Sequence, residues 1–138
     1  MTLRERQDEF INDMLMFDNW TDRFNYLVSE SESLSAECGE YLLKFRIDGC
    51  QSKTCFKAAV KGSLFVSGWS NSAVMGGIIV AICKIFNFLD PKEYQQAEID
   101  FHIKSGLINN LTPMRQAALE EIIRRINVLL PNLKTDEI

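Results

Sequence analysis

The pattern of apolar and polar positions changes period twice along the chain. In the first thirty residues, Phe10, Ile11, Met14, Leu15 and Phe17, and then Trp20, Phe24, Leu27 and Val28, recur three or four positions apart. That is the spacing of helices with one buried stripe. Thr2-Leu3-Arg4-Glu5 opens the first helix as a capping box. Asn19, with Asp22 in the following turn, caps the second. Ser29 to Gly39 is rich in Ser and Glu and is expected to be a connecting segment.

From Tyr41 the period drops to two. Tyr41, Leu43, Phe45 and Ile47 alternate with Leu42, Lys44, Arg46 and Asp48. Beyond a turn at Gly49 to Ser52, Thr54, Phe56, Ala58 and Val60 alternate with Cys55, Lys57, Ala59 and Lys61. Gly62-Ser63 makes the next turn, and Leu64, Val66 and Trp69 carry a third strand. Three strands with short connections predict an antiparallel meander, one face apolar and the other rich in lysine. Such a sheet needs helices over its apolar face.

The helical period then returns. Ser70 or Ser72 is the expected cap of an apolar helix reaching about Leu89. Asp90-Pro91 opens a short helix with proline at its first position, and Ile99 to Leu107 adds a turn or two. Thr112-Pro113 starts a long amphipathic helix with Leu119, Ile122, Ile123, Ile126 and Leu130 as its buried stripe, and Pro131 is expected to end it. The apolar run from Ala73 to Leu89 is short for a membrane span and is interrupted by Lys84 and Asn87, so it reads as a buried core helix. Helices, strands, then helices make the fold class α+β: a three-stranded antiparallel sheet packed against helices on one face. The 138 residues suit a single domain with its core at about 10–130.

A net charge of −4 argues against a nucleic-acid-binding surface. The charge is uneven: residues 1–40 hold ten acidic and three basic side chains, whereas residues 41–61 hold five basic ones (Lys44, Arg46, Lys53, Lys57, Lys61) against Asp48 alone. The N-terminus has no apolar signal region, and a chain of this size needs no disulfide staple. Cys38, Cys50, Cys55 and Cys83 are therefore expected to be reduced, in a cytoplasmic protein.

The basic stretch contains Cys50, which follows Gly49 in a turn and lies outside the apolar alternation. Neighbouring positive charge favours the thiolate, the nucleophilic form. A reactive role for Cys50 and a packed, inert one stand about equal on these residues. Cys55 falls on the lysine face, either as a bystander or as a second thiol able to pair with Cys50. Cys38 and Cys83 read as structural. His102, the single histidine, reads as a surface or satisfied helix position. The cysteine spacings lack the two close pairs of a structural zinc site. Gly76-Gly77 lacks the context of a phosphate loop and instead permits close helix packing. Glu120-Glu121 reads as a solvated helix face.

Four segments in order, Trp20-x-x-Arg23-Phe24-x-Tyr26-Leu27, Gly49-Cys50-Gln51-Ser52, Gly68-x-Ser70 and Leu111-Thr112-Pro113-x-Arg115, resemble the SufE/CsdE family of cysteine desulfuration proteins from about Phe10 to Leu129. The resemblance implies a SufE/IscU-like fold and a non-enzymatic accessory role. In that family a pyridoxal-phosphate cysteine desulfurase, of the SufS or CsdA type, forms a persulfide on its own cysteine. The loop cysteine, here Cys50, takes the outer sulfur, stimulates the desulfurase, and hands the sulfur to an iron–sulfur scaffold of the SufBCD type. It further implies no cofactor or metal of the chain's own, no nucleic acid or membrane partner, a monomer or homodimer, and supporting roles for Gly49, Gln51, Ser52 and Arg115. Three positions depart from the usual pattern: Cys55 replaces a common aromatic residue, Asn71 a common acid, and Asn110 a common histidine. An iron–sulfur or metal scaffold and a Cys50/Cys55 redox switch remain the alternative readings.

Overall fold

The structure is a computed structural model describing residues 1–34, 44–48, 53–94 and 98–135, with side chains as far as Pro131. Two helices lead: α1 (Leu3–Leu15) and α2 (Trp20–Glu30). The capping box forms as expected, with Glu5 N–H donating to Thr2 Oγ1 and Thr2 N–H to Glu5 Oε1, each at 3.0 Å. Asn19 Oδ1 accepts the Asp22 N–H at 2.9 Å. Between the helices, the Arg23 guanidinium donates to the carbonyls of Met14 (2.9 Å) and Phe17 (2.8 Å). It also lies 4.9 Å from the Trp20 ring centroid. One arginine thus adds charged donors to the carbonyls where α1 ends.

The expected connector begins later than Ser29. Helix α2 runs to Glu30 and continues in a 3-10 turn over Ser31–Ser33. Ser29, Ser31 and Ser33 each donate a hydroxyl to the carbonyl three residues earlier, at 2.7, 2.5 and 2.9 Å. Serines that would break a helix interior here close its end.

Strands β1 (Thr54–Lys61) and β2 (Ser63–Ser70) form an antiparallel hairpin in continuous register from Thr54↔Ser70 to Lys61↔Ser63. Gly62 turns it at φ +74°, a left-handed conformation natural to glycine. Phe56, Leu64 and Val66 point into the core, while Lys61, Phe65 and Ser67 are exposed. The strand expected from Tyr41 is a correction: residues 41–43 lie outside the described residues, and the pairing of the rest is a single bridge, Arg46↔Cys55. The bridge carries two backbone hydrogen bonds, Ile47 N–H to Thr54 O (2.9 Å) and Phe56 N–H to Phe45 O (3.0 Å). Arg125, described below, donates to the carbonyls of Phe45, Arg46 and Phe56 along this edge.

Helix α3 (Ala73–Phe86) is capped by Ser72, whose Oγ accepts the Met75 N–H at 3.3 Å. It lies against α2 so closely that a Cβ on Gly77 would stand 1.9 Å from the Leu27 carbonyl oxygen. The helix stops short of the expected Leu89. The Asn87 side chain turns to β2 instead, accepting from Val66 N–H (2.7 Å) and donating to Val66 O (2.9 Å), and Phe88 follows at φ +64°. The expected short helix with proline at its first position forms as a 3-10 helix over Pro91–Tyr94.

Helix α4 (Phe101–Lys104) takes its cap from α1: Gln7 Oε1 accepts the N–H groups of Asp100 (2.8 Å) and Phe101 (3.0 Å). Helix α5 (Pro113–Thr135) buries the expected stripe Leu119, Ile122, Ile123, Ile126 and Leu130. Pro131, expected to end α5, lies inside it. Both Pro131 and Asn127, whose carbonyl loses a donor there, are on the exposed side, where water replaces the missing bond. Helix α3 packs on β2 and α5 on β1, so the sheet's inner face and all five helices of the described residues share one apolar core. No helix among the described residues is long and apolar enough to cross a membrane.

Candidate functional site

Cys50, with Gly49, Gln51 and Ser52, lies outside the described residues, as does Cys38. The frame around that turn is described. Its incoming leg is Lys44–Asp48 and its outgoing leg is Lys53 leading into β1, joined by the Arg46↔Cys55 bridge. An antiparallel bridge puts the two facing side chains on the same side of the sheet. Arg46, Cys55 and Trp69, which faces Cys55 on β2, therefore share one face of the sheet with Lys57.

Each leg is held by a side chain from elsewhere in the fold. On the outgoing leg, Asn71 Oδ1 accepts the Lys53 N–H (2.9 Å) while the Asn71 N–H donates to Lys53 O (3.0 Å). Below it, Thr54 Oγ1 and Ser70 Oγ lie 2.8 Å apart, buried, and Ser70 Oγ also accepts from Ser72 N–H. Gly68, from the Gly68-x-Ser70 motif, is required by space: a Cβ there would stand 2.6 Å from the Cys55 carbonyl oxygen. On the incoming leg, Arg125 of α5 donates to the carbonyls of Phe45 and Phe56, both at 2.8 Å, and of Arg46 at 3.1 Å. Asn71 thus holds Lys53 on one side of residues 49–52 in the sequence, and Arg125 holds Phe45 and Arg46 on the other.

Lys44, Arg46 and Lys53 are exposed at these legs, and the Lys57 ammonium lies 5.5 Å from the Phe45 ring centroid. Asp48 is the acid at the same place. The local field is therefore positive, which favours a thiolate. Arg115 is half-buried on the first turn of α5, and no hydrogen bond or ion pair of its side chain occurs among the described residues.

Cys55 departs from expectation in two ways. Alternation places it on the lysine face, yet it is fully buried, and it is disulfide-bonded rather than reduced. Cys83 is free, and burial pushes its thiol up to about 11. His102, expected at a surface or satisfied position, is buried with Nδ1 unpartnered, and burial lowers its pKa despite the opposing charges of Asp100 and Glu120. No group of three His, Cys, Asp or Glu converges among the described residues. A cleft of about 440 Å³ opens between α1, α2 and α3, floored by Gly77 and Ala81, and no residue of the turn's legs lines it.

Sequence reasoning missed Arg125. Read with Glu120 and Glu121 it belongs to a charged helix face. Its one signal is angular, because Ala118 and Leu129, seven before and four after it, mark the edge of the buried stripe.

The family model described as SufE, Fe-S metabolism associated domain, matches residues 8–130. The chain belongs to the SufE family. A SufE-like protein of Rhizobium meliloti strain 1021 is 27% identical over 127 residues, covering 86% of this chain and 90% of the relative. In three dimensions this SufE-family chain is similar to the solution structure of a hypothetical protein from Thermus thermophilus. The TM-score is 0.67 at 16% identity, over 94% of this chain and 96% of that one. That likeness supports the α+β fold. The family match ties the chain to iron–sulfur metabolism.

Proposed function

We propose that Cys50 is a sulfur acceptor serving a pyridoxal-phosphate cysteine desulfurase of the SufS or CsdA type. The Cys50 thiolate attacks the outer sulfur of the desulfurase persulfide. The new bond is between Cys50 Sγ and that sulfur, the old sulfur–sulfur bond breaks, and the partner's cysteine leaves as a thiolate. The sulfane sulfur and its proton move together to Cys50, and no electrons are exchanged with the surroundings. An iron–sulfur scaffold of the SufBCD type then receives the sulfur, in the cytoplasm. The observation that carries this reading is the family match over residues 8–130, with Gly49-Cys50-Gln51-Ser52 falling between two legs that neighbouring elements hold. The positive charge of Lys44, Arg46 and Lys53 supports it, because attack on a sulfur–sulfur bond requires an ionised, accessible thiol.

The test is intact-protein mass spectrometry after incubation with a cysteine desulfurase, pyridoxal phosphate and free cysteine. Wild type should gain one or more sulfur atoms that dithiothreitol removes, and Cys50→Ala should gain none. Equal gain on both proteins would refute the assignment.

Cys55 is disulfide-bonded to a partner outside the described residues, and we infer as a second reading a thiol switch in which that partner is Cys50 and the bond forms on mild oxidation. Peptide mapping after oxidation supports this if it finds a Cys50–Cys55 bond, and excludes it if both thiols stay free.

A further inference from the structure

We propose that Arg125 is a positioning residue for the sulfur-accepting turn, clamping its two legs together from α5. This rests on the assignment of Cys50 as acceptor. Among the described residues, the backbone pairing of the two legs is the Arg46↔Cys55 bridge and its two hydrogen bonds. The Arg125 guanidinium reaches across it. Nη1 donates to Phe45 O on the incoming leg and to Phe56 O on β1, and Nη2 donates to Arg46 O. Phe45 O also accepts from Phe56 N–H, so the side chain caps the same ladder rung that the backbone forms.

These are charge-assisted bonds, stronger than their neutral counterparts. They also need a planar fork, since two carbonyls on one leg and one on the other are met by a single rigid group. Lysine carries the charge but not that geometry. Glu121, one helical turn earlier, lies 3.6 Å from Arg125 Nε and steadies the guanidinium from the helix side. Helix α5 itself is fixed by its buried stripe. The clamp therefore ties Phe45, Arg46 and Phe56, on the described legs, to the core through α5. Arg125 acts through the legs rather than on the reacting sulfur, and transfer between two thiols is steeply sensitive to such placement.

The experiment uses the full chain as wild type, Arg125→Gln and Arg125→Lys. Hydrogen–deuterium exchange should rise about tenfold or more in peptides covering 44–48 and 54–57 in both variants, with α3 unchanged. Desulfurase-driven sulfur uptake, titrated in this protein, should fall about tenfold in maximal rate with half-saturation within about twofold. Lysine should fail to rescue, which separates fork geometry from charge. Exchange rising equally in α3 and the legs would mean global loosening and would overturn the proposal. So would uptake at the wild-type rate in both variants. If wild type itself takes up no sulfur, the acceptor reading fails, while the exchange pattern still decides whether the clamp exists.

Discussion

Substituting Gly77 by alanine tests how closely α2 and α3 approach. The added methyl would stand 1.9 Å from the Leu27 carbonyl oxygen, against an ordinary contact of 3.4 Å or more. The atom in the way is backbone inside a helix, with Leu27 Cα at 2.9 Å behind it. No rotamer change relieves it, so the helices must part by more than an ångström. Overpacking of this kind costs about 1–3 kcal/mol. Separation would also loosen the buried Leu27, Ile78 and Ile82 side chains beside it, so the upper end applies. Alanine's helix preference returns about 1 kcal/mol, leaving a net loss of about 2 kcal/mol. Gly76→Ala is the internal control: its methyl meets Ser31 Cβ at 3.1 Å and Leu34 Cδ1 at 3.2 Å, and the leucine terminus can rotate away. That variant should fall within about 1 kcal/mol of wild type in either direction. Urea unfolding followed by circular dichroism, with the m-value checked for constancy, measures both. If Gly77→Ala proves as stable as wild type, or more stable than Gly76→Ala, the close approach is not a constraint on the fold and the reasoning fails.

Two further predictions concern titration. Burial raises the Cys83 thiol to about 11 from a reference of 9.0, so maleimide labelling of native Cys83 at pH 8 should run about 100-fold slower than in urea-unfolded protein; comparable rates, read by peptide mass spectrometry, would contradict its burial. Burial alone would raise the Asp100 carboxyl, but hydrogen bonds and charge from Arg4 and Lys104 outweigh it and hold it below 3.8. A carboxyl depressed on folding contributes stability above its unfolded pKa and loses it as pH falls through the folded value. Unfolding free energy should therefore fall as pH drops below about 5, and Asp100→Asn should flatten that slope; an unchanged slope in the variant would sink the assignment.

Helices were legible wherever a local signal and the buried stripe agreed. Thr2, Asn19 and Ser72 cap as their sequence positions imply, and the α5 stripe is buried residue for residue. Failures occurred where a distant partner overrode a local rule. Asn87 ends α3 early because its side chain completes β2 at Val66. Pro131 does not end α5 because that side of the helix is solvated. The period-2 run before Asp48 predicted a strand, but alternation does not reveal how many rungs find a partner, and the described pairing is one bridge.

For the site, the sequence by itself supplied the candidate thiol and the charges that neighbour it along the chain. Cys50 beside Gly49, the surrounding lysines and arginine, and the ordered family motifs are all local facts of the chain. Only the tertiary structure decided what holds that turn. Asn71 and Arg125 stand 18 and 69 or more residues from the carbonyls or amides they bind, and no periodicity within one element encodes a bond between two. The same reason explains Cys55, polar-facing by alternation yet buried. Alternation assigns a side of the sheet, whereas burial depends on what the rest of the chain brings to cover it.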